Sequence, residues 1–142
     1  MYTMMQVCRE LNMTYQTLKF YCNEGLIPNV KRDKNNRRIF DEKDVKWIKD
    51  LTCLKKCDMS IQEMKKYLEL CLQGESTILQ RKEMLRIKQE SLRDSIKELE
   101  QSISYIDWKQ NFYDEILTGK RPYTSNLICT EMEDAPSKGE SN

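Results

Sequence analysis

Residues 1–28, MYTMMQVCRELNMTYQTLKFYCNEGLIP, decide the fold. Thr3 is placed to cap a short helix that carries Met4, Val7, Cys8 and Leu11 on one face, and Asn12 ends it. Thr14 then caps a second helix, TYQTLKFYCNEG, in which Leu18, Tyr21 and Cys22 face inward and Gly25 supplies the stop. Two short helices joined by Asn12 and Met13 make a helix-turn-helix candidate. In that motif the second helix lies in the major groove of DNA, and its early outward residues meet base edges. Here those residues are Tyr15, Gln16, Lys19 and Phe20. Helical hairpins also occur in proteins that never touch nucleic acid, so the pattern alone leaves both readings open.

The sequence after Pro28 favours DNA. Residues 31–38, KRDKNNRR, hold five positive charges and one negative, as phosphate contact requires. A solvated loop is the bland alternative. Arg38-Ile39-Phe40 reads as a short strand, and such a segment beside a helix-turn-helix is a wing, with Arg37 and Arg38 as phosphate contacts. Charge is uneven along the chain: 1–60 carry 12 basic and 8 acidic residues, 61–113 carry 9 of each, and 114–142 carry 3 and 6. The basic part lies where the helix-turn-helix does.

Further on, Asp41 caps a third helix (41–57), and Ser60 caps a fourth with Glu63 completing a capping box. From Thr77 to Tyr113 the period changes. Ile78, Leu85, Leu92, Leu99, Ile106 and Tyr113 recur every seven residues, and Lys82, Gln89, Ile96, Ile103 and Gln110 form a second seam that is apolar only in its middle. A helix of about 55 Å is too long to be covered by a small head. A second copy of the chain is the simplest cover, which predicts a homodimer. Near its end, Tyr105, Trp108, Phe112 and Tyr113 lie at helical spacing, read as packing rather than as a ligand pocket. The tail beyond is polar and acidic without period, and is expected to be disordered.

Composition narrows the function classes. The chain has 142 residues, of which 39% are hydrophobic and 33% charged, and it has no histidine. The commonest zinc ligand and the usual proton shuttle are therefore missing, and there is neither a Gly-rich phosphate loop nor a carboxylate cluster. This argues against an enzyme and against a metal or cofactor site. The six cysteines are scattered without paired spacing, no secretory or membrane-spanning run occurs, and a cytoplasmic chain with reduced thiols is expected. A coiled-coil adaptor whose basic head binds an acidic partner remains a less favoured alternative.

YTMMQVCRELNMTYQTLKFYCNEGLI, NRRIFDEKDVKWIKDL and MSIQEMKKYLEL together resemble the MerR family of transcription regulators over roughly residues 1–70. The family's Arg-Tyr-Tyr triplet is here Lys19-Phe20-Tyr21, and its Gly-Tyr-Arg-hydrophobic-Tyr wing is Asn36-Arg37-Arg38-Ile39-Phe40. Phe20 and Phe40 lack the family's phenolic hydroxyls. The resemblance implies a mainly α fold: a winged helix-turn-helix DNA-binding head (1–72), a dimerisation helix pairing as an antiparallel coiled coil (75–117), and a tail (118–142). It implies DNA contacts from Tyr15, Gln16, Thr17, Lys19, Phe20, Tyr21, Lys31, Arg37 and Arg38. Lys65, Lys66 and Tyr67 would form a second wing, with core packing an equal alternative for Tyr67. The expected dimer seam comprises Ile78, Leu85, Leu92, Ile96, Leu99, Ile103 and Ile106. Partners would be double-stranded promoter DNA, distorted at its spacer, and RNA polymerase, with no membrane.

The stretch DLTCLKKCDMS (50–60) bears on the signal. On the third helix Val45, Trp47, Ile48, Leu51 and Leu54 fall on one side, and Cys53 and Cys57 on the other with Lys46, Lys49 and Asp50. Lys49 and Lys56 flank Cys53, and nearby ammonium groups favour a thiolate, the nucleophilic form, although Asp50 opposes them. Cys8, Cys22 and Cys71 are expected to be buried. The segment around Cys53 looks like the aldehyde-responsive, thiol-based AdhR and NmlR type within MerR regulators, which carries one cysteine at that position. Cys53 and Cys57 are thus the sensor candidates; another small molecule, or no bound effector, is the alternative.

Overall fold

The computed structural model describes residues 1–130. Its elements are β1 (Tyr2–Thr3), α1 (Met4–Leu11), α2 (Tyr15–Asn23), β2 (Lys31–Arg32), β3 (Arg38–Phe40), α3 (Glu42–Lys56), α4 (Ile61–Leu72), a 3-10 turn (Glu75–Thr77) and α5 (Ile78–Leu117). By contact grouping, Met1–Arg93 and Asp94 onward form two units.

In the first unit every α1 to α4 start is capped by the residue expected. Thr3, Asp41 and Ser60 each accept from the backbone three residues on while Gln6, Asp44 and Glu63 reach back, completing three capping boxes. Thr14 caps α2 without a reciprocal partner. Asn12 stops α1 in the left-handed conformation (φ 52°), which asparagine tolerates better than most residues. The turn between α1 and α2 is therefore specified by interactions within a few residues of it.

The wing is larger than the single strand expected. β3 pairs antiparallel with β1 on one side and β2 on the other, matching Tyr2 with Phe40 and Lys31 with Ile39. Strands of two or three residues carry too little alternation to be seen in sequence, so β1 and β2 arise from tertiary pairing. Their centre, Phe40, is fully buried with Val7, Leu18, Leu26, Ile48, Leu51, Met59 and Met64. This core welds the helix-turn-helix, wing, α3 and α4 together. Cys8 belongs to it, but Cys22 and Cys71 are half-buried rather than buried, because each lies at the rim of its helix's inward face.

No residue of α5 is buried. Ile78, Leu85, Ile96, Leu99, Ile103 and Ile106 are 39% to 64% exposed, and Leu92 is half-buried. In the second unit the end of α5 carries a ladder of rings: Tyr105 to Trp108 at 6.2 Å, Trp108 to Phe112 at 5.7 Å and Phe112 to Tyr113 at 5.6 Å. Lys109 lies within 5.6 Å of three of them and Arg121 lies 4.8 Å from Phe112, yet Tyr105, Trp108 and Tyr113 are 48% to 60% exposed in the single chain. Residues 118–130 carry neither helix nor strand, and the rest of the tail expected to be disordered, 131–142, lies outside the described residues.

Candidate nucleic-acid interface

On α2, Tyr15, Gln16, Thr17, Lys19 and Phe20 are all exposed, while Leu18 and Tyr21 turn into the core. The 3.6-residue period separates the two sets. Tyr15 and Phe20 are each more than 40% exposed. Thr17 is partly committed, since its hydroxyl accepts from Thr14 Oγ1 at 2.8 Å. The expectation that Tyr21 touches DNA is corrected: its side chain is 3% exposed, and burial pushes the phenol up from its ordinary value.

The basic run is an ordered hairpin rather than a loose loop. Asp33, its one acid, turns inward on the backbone, accepting from the Asn35 and Arg37 amides at 2.8 and 2.9 Å. Asn36 supplies the left-handed residue (φ 61°) at the tip, a conformation asparagine adopts more readily than most residues. Arg32 donates to the Asn36 carbonyl at 2.9 Å, which stiffens the hairpin from one side. Arg38 Nη2 donates to Asn23 Oδ1, at the end of α2, at 2.9 Å. Helix and wing are thereby held in one relative position, and a cleft of about 530 Å³ between them is lined by Thr3, Met5, Tyr15, Arg32, Arg37 and Arg38 among others.

Lys31 is paired within the chain. Its ammonium donates to the Asn29 carbonyl at 3.0 Å, to Asp41 at 3.0 Å and to the buried Asp44 at 3.4 Å. The Asp41 hydrogen bond, first, raises the lysine above its ordinary value. With all three N–H donors engaged in the free chain, it ties the wing to the start of α3, while its side chain stays 42% exposed. Lys65 is likewise paired, with Glu24 at 2.9 Å. Lys66 is exposed. Tyr67 stacks on Trp47 with ring centroids 6.4 Å apart and planes 3° from parallel, and Trp47 Nε1 donates to the Leu26 carbonyl at 2.7 Å. This supports packing as the main role of Tyr67.

Cys53 is exposed on the polar side of α3, and Cys57 is the half-buried C-cap of the same helix. Asp58 follows in the left-handed region (φ 66°). The carbonyl of Asp58 accepts from Lys88 of α5 at 3.2 Å. Burial raises Cys8, and it raises Cys22 against the opposing pull of Arg38 and Arg32.

Sequence reasoning missed Arg32, Asn23 and Met5 as parts of this surface, and the Lys88–Asp58 contact beside the thiols. Arg32 was legible inside the basic run. The Asn23–Arg38 and Lys88–Asp58 bonds join residues 15 and 30 positions apart, and no local period announces such pairs.

Comparison with known proteins agrees with this geometry. Residues 2–71 match the profile described as MerR HTH family regulatory protein. An uncharacterized HTH-type transcriptional regulator of Haemophilus influenzae is 33% identical over 112 residues, 79% of this chain and 83% of that one. The HTH-type transcriptional regulator AdhR of Bacillus subtilis is 36% identical over 87 residues, 61% of this chain and 62% of its own. A similar solved structure is that of HiNmlR, a MerR family regulator lacking the sensor domain and bound to promoter DNA: TM-score 0.68 and 32% identity, over 82% of this chain and 93% of that one. The chain therefore belongs to the MerR family of helix-turn-helix transcriptional regulators, and is a regulator rather than an enzyme.

Proposed function

We propose that this regulator is a homodimer that binds double-stranded promoter DNA, distorts the spacer between promoter elements so that RNA polymerase can engage both, and responds to reactive aldehydes or other electrophiles through Cys53. The observation that carries the DNA reading is the Arg38–Asn23 hydrogen bond of 2.9 Å, which presents the exposed face of α2 and the cationic wing as one surface. Gln16 and Lys19 are then the base-facing and phosphate-facing residues of α2, and Arg37 and Arg38 the wing's phosphate contacts, with Lys66 on α4. The similar structure of HiNmlR, bound to promoter DNA, supports the docking mode.

Dimerisation rests on the exposed row from Ile78 to Ile106. An apolar row of that length is stable in water only when covered, and an antiparallel partner helix at heptad spacing covers it. Residues 1–72 would then be the DNA-binding domain and 75–117 the dimerisation helix. The effector reading rests on the exposure of Cys53 on α3 and on likeness to AdhR and HiNmlR. A few kcal/mol of bias between two dimer shapes is enough to switch output.

Gel-shift titration with the promoter of its own operon, across a salt series, tests the DNA reading. Binding should be specific and weaken steeply as salt rises. Equal affinity for unrelated DNA would count against it.

A further inference from the structure

We propose that Cys53 and Cys57 together form a dithiol site for trivalent arsenicals. The two residues are one helical turn apart: the Cys57 amide donates to the Cys53 carbonyl at 3.1 Å. Cys57 is the C-cap, and its φ of −82° is still near helical, so its Cβ keeps the direction that puts i and i+4 side chains on one face. Cys53 is exposed and Cys57 half-buried, so a small reagent reaches both from solvent.

The spacing selects the chemistry. Residues one turn apart hold their Cβ atoms about 5–6 Å apart, whereas an unstrained disulfide needs about 3.5–4.5 Å. Direct oxidation to a disulfide would have to unwind the end of α3. A single bridging atom between the sulfurs closes the wider gap without that distortion. The atom must be soft, to suit thiolate ligands, and content with two protein donors, because among the described residues no group of three or more His, Cys, Asp or Glu side chains converges to hold a metal ion. A monosubstituted trivalent arsenical, R–As(OH)2, meets both conditions. Two S–H and two As–O bonds break, two As–S bonds form, two molecules of water leave, and arsenic stays trivalent throughout. No oxidant or reductant is consumed. The bridge would staple the last turn of α3 immediately before Asp58, whose carbonyl is held by Lys88, so occupancy is placed to be felt in α5.

This inference rests on the reading of Cys53 as the solvent-facing sensor thiol, but not on aldehydes as its effector. The full-length protein, reduced, is exposed to phenylarsine oxide in the presence of excess glutathione, alkylated with iodoacetamide and mapped by mass spectrometry. The wild-type protein should retain one phenylarsenic group and show Cys53 and Cys57 protected together. Cys53→Ser, Cys57→Ser and Cys57→Ala should each hold it about 100-fold less tightly, the loss expected when two-point attachment becomes one-point. The proposal is overturned if the Cys57 variants retain arsenic as the wild type does, or if protection maps to Cys8, Cys22, Cys71 or Cys129. Capture is read on the protein alone, so it stands or falls separately from any transcriptional response to aldehydes.

Discussion

Lys88 on α5 lies 3.2 Å from the Glu63 carboxylate at the start of α4 and donates at 3.2 Å to the carbonyl of Asp58, the residue after Cys57. Its side chain is only 16% exposed, unusual for lysine. The contact joins the proposed dimerisation helix to the residue that follows Cys57, at the end of the helix that carries Cys53. Lys88→Met keeps the apolar stem and removes the charge, so the variant should bind its operator and react at Cys53 at wild-type rates. It should lose most of the transcriptional response to electrophiles, read by in vitro transcription. A normal response would place the coupling elsewhere.

Glu63 also gives the fold an acid limit. The Ser60 amide, first, and then Lys88 hold its carboxyl below the ordinary value. A depressed carboxylate contributes stability that is complete above its unfolded value, about 4.3, and is lost as pH falls through the folded one. Asp41, lowered by the Asp44 amide and Lys31, acts with the same sign. Glu63→Gln retains the capping hydrogen bond without the titration. Thermal melts between pH 7 and 3 should therefore show a shallower acid limb for the variant; identical limbs would exclude Glu63 as a contributor.

The parts of this fold that were legible in sequence are those set by neighbours in the chain. Thr3, Thr14, Asp41 and Ser60 each occupy an N-cap, because capping depends on the next three residues alone. Leu18 is buried as helical period implied. β1 and β2, and the pairing of Lys31 with Asp41 and Asp44, were not legible, since a charge in a basic run looks the same whether its partner is a phosphate or a carboxylate ten positions away. Tyr21 belonged to a recognition triplet by resemblance and to the core by period. The period decided its side chain's place.

The wing and α2 make separable predictions about DNA. Lys19→Ala and Arg38→Ala should each weaken binding to all sequences and reduce the salt slope by about one unit. Arg38→Ala should cost more, because it also frees the wing from Asn23. Lys31→Ala should leave the slope unchanged and lower stability instead. Fluorescence anisotropy over a salt series distinguishes them, and an unchanged slope in both Lys19 and Arg38 variants would refute the docking.

Leu99 lies at the middle of the exposed heptad row and is 64% exposed in the single chain. Leu99→Glu would bury an unpaired carboxylate at an antiparallel seam, which costs about 3–5 kcal/mol when a buried charge lacks its partner. Sedimentation should show a monomer and operator binding should fall with it. A wild-type dimer mass would mean that the seam lies elsewhere.

The central claim is that Cys53 converts reaction with an electrophile into promoter activation. Burial raises the Cys8 thiol, whereas Cys53 faces solvent, so alkylation of the native protein should reach Cys53 well before Cys8. The most direct measurement is in vitro transcription from the protein's own promoter with and without formaldehyde, comparing wild type with Cys53→Ser. The account predicts equal operator binding by both, activation by aldehyde with the wild type, and none with Cys53→Ser. Full activation of the Cys53→Ser protein would contradict it.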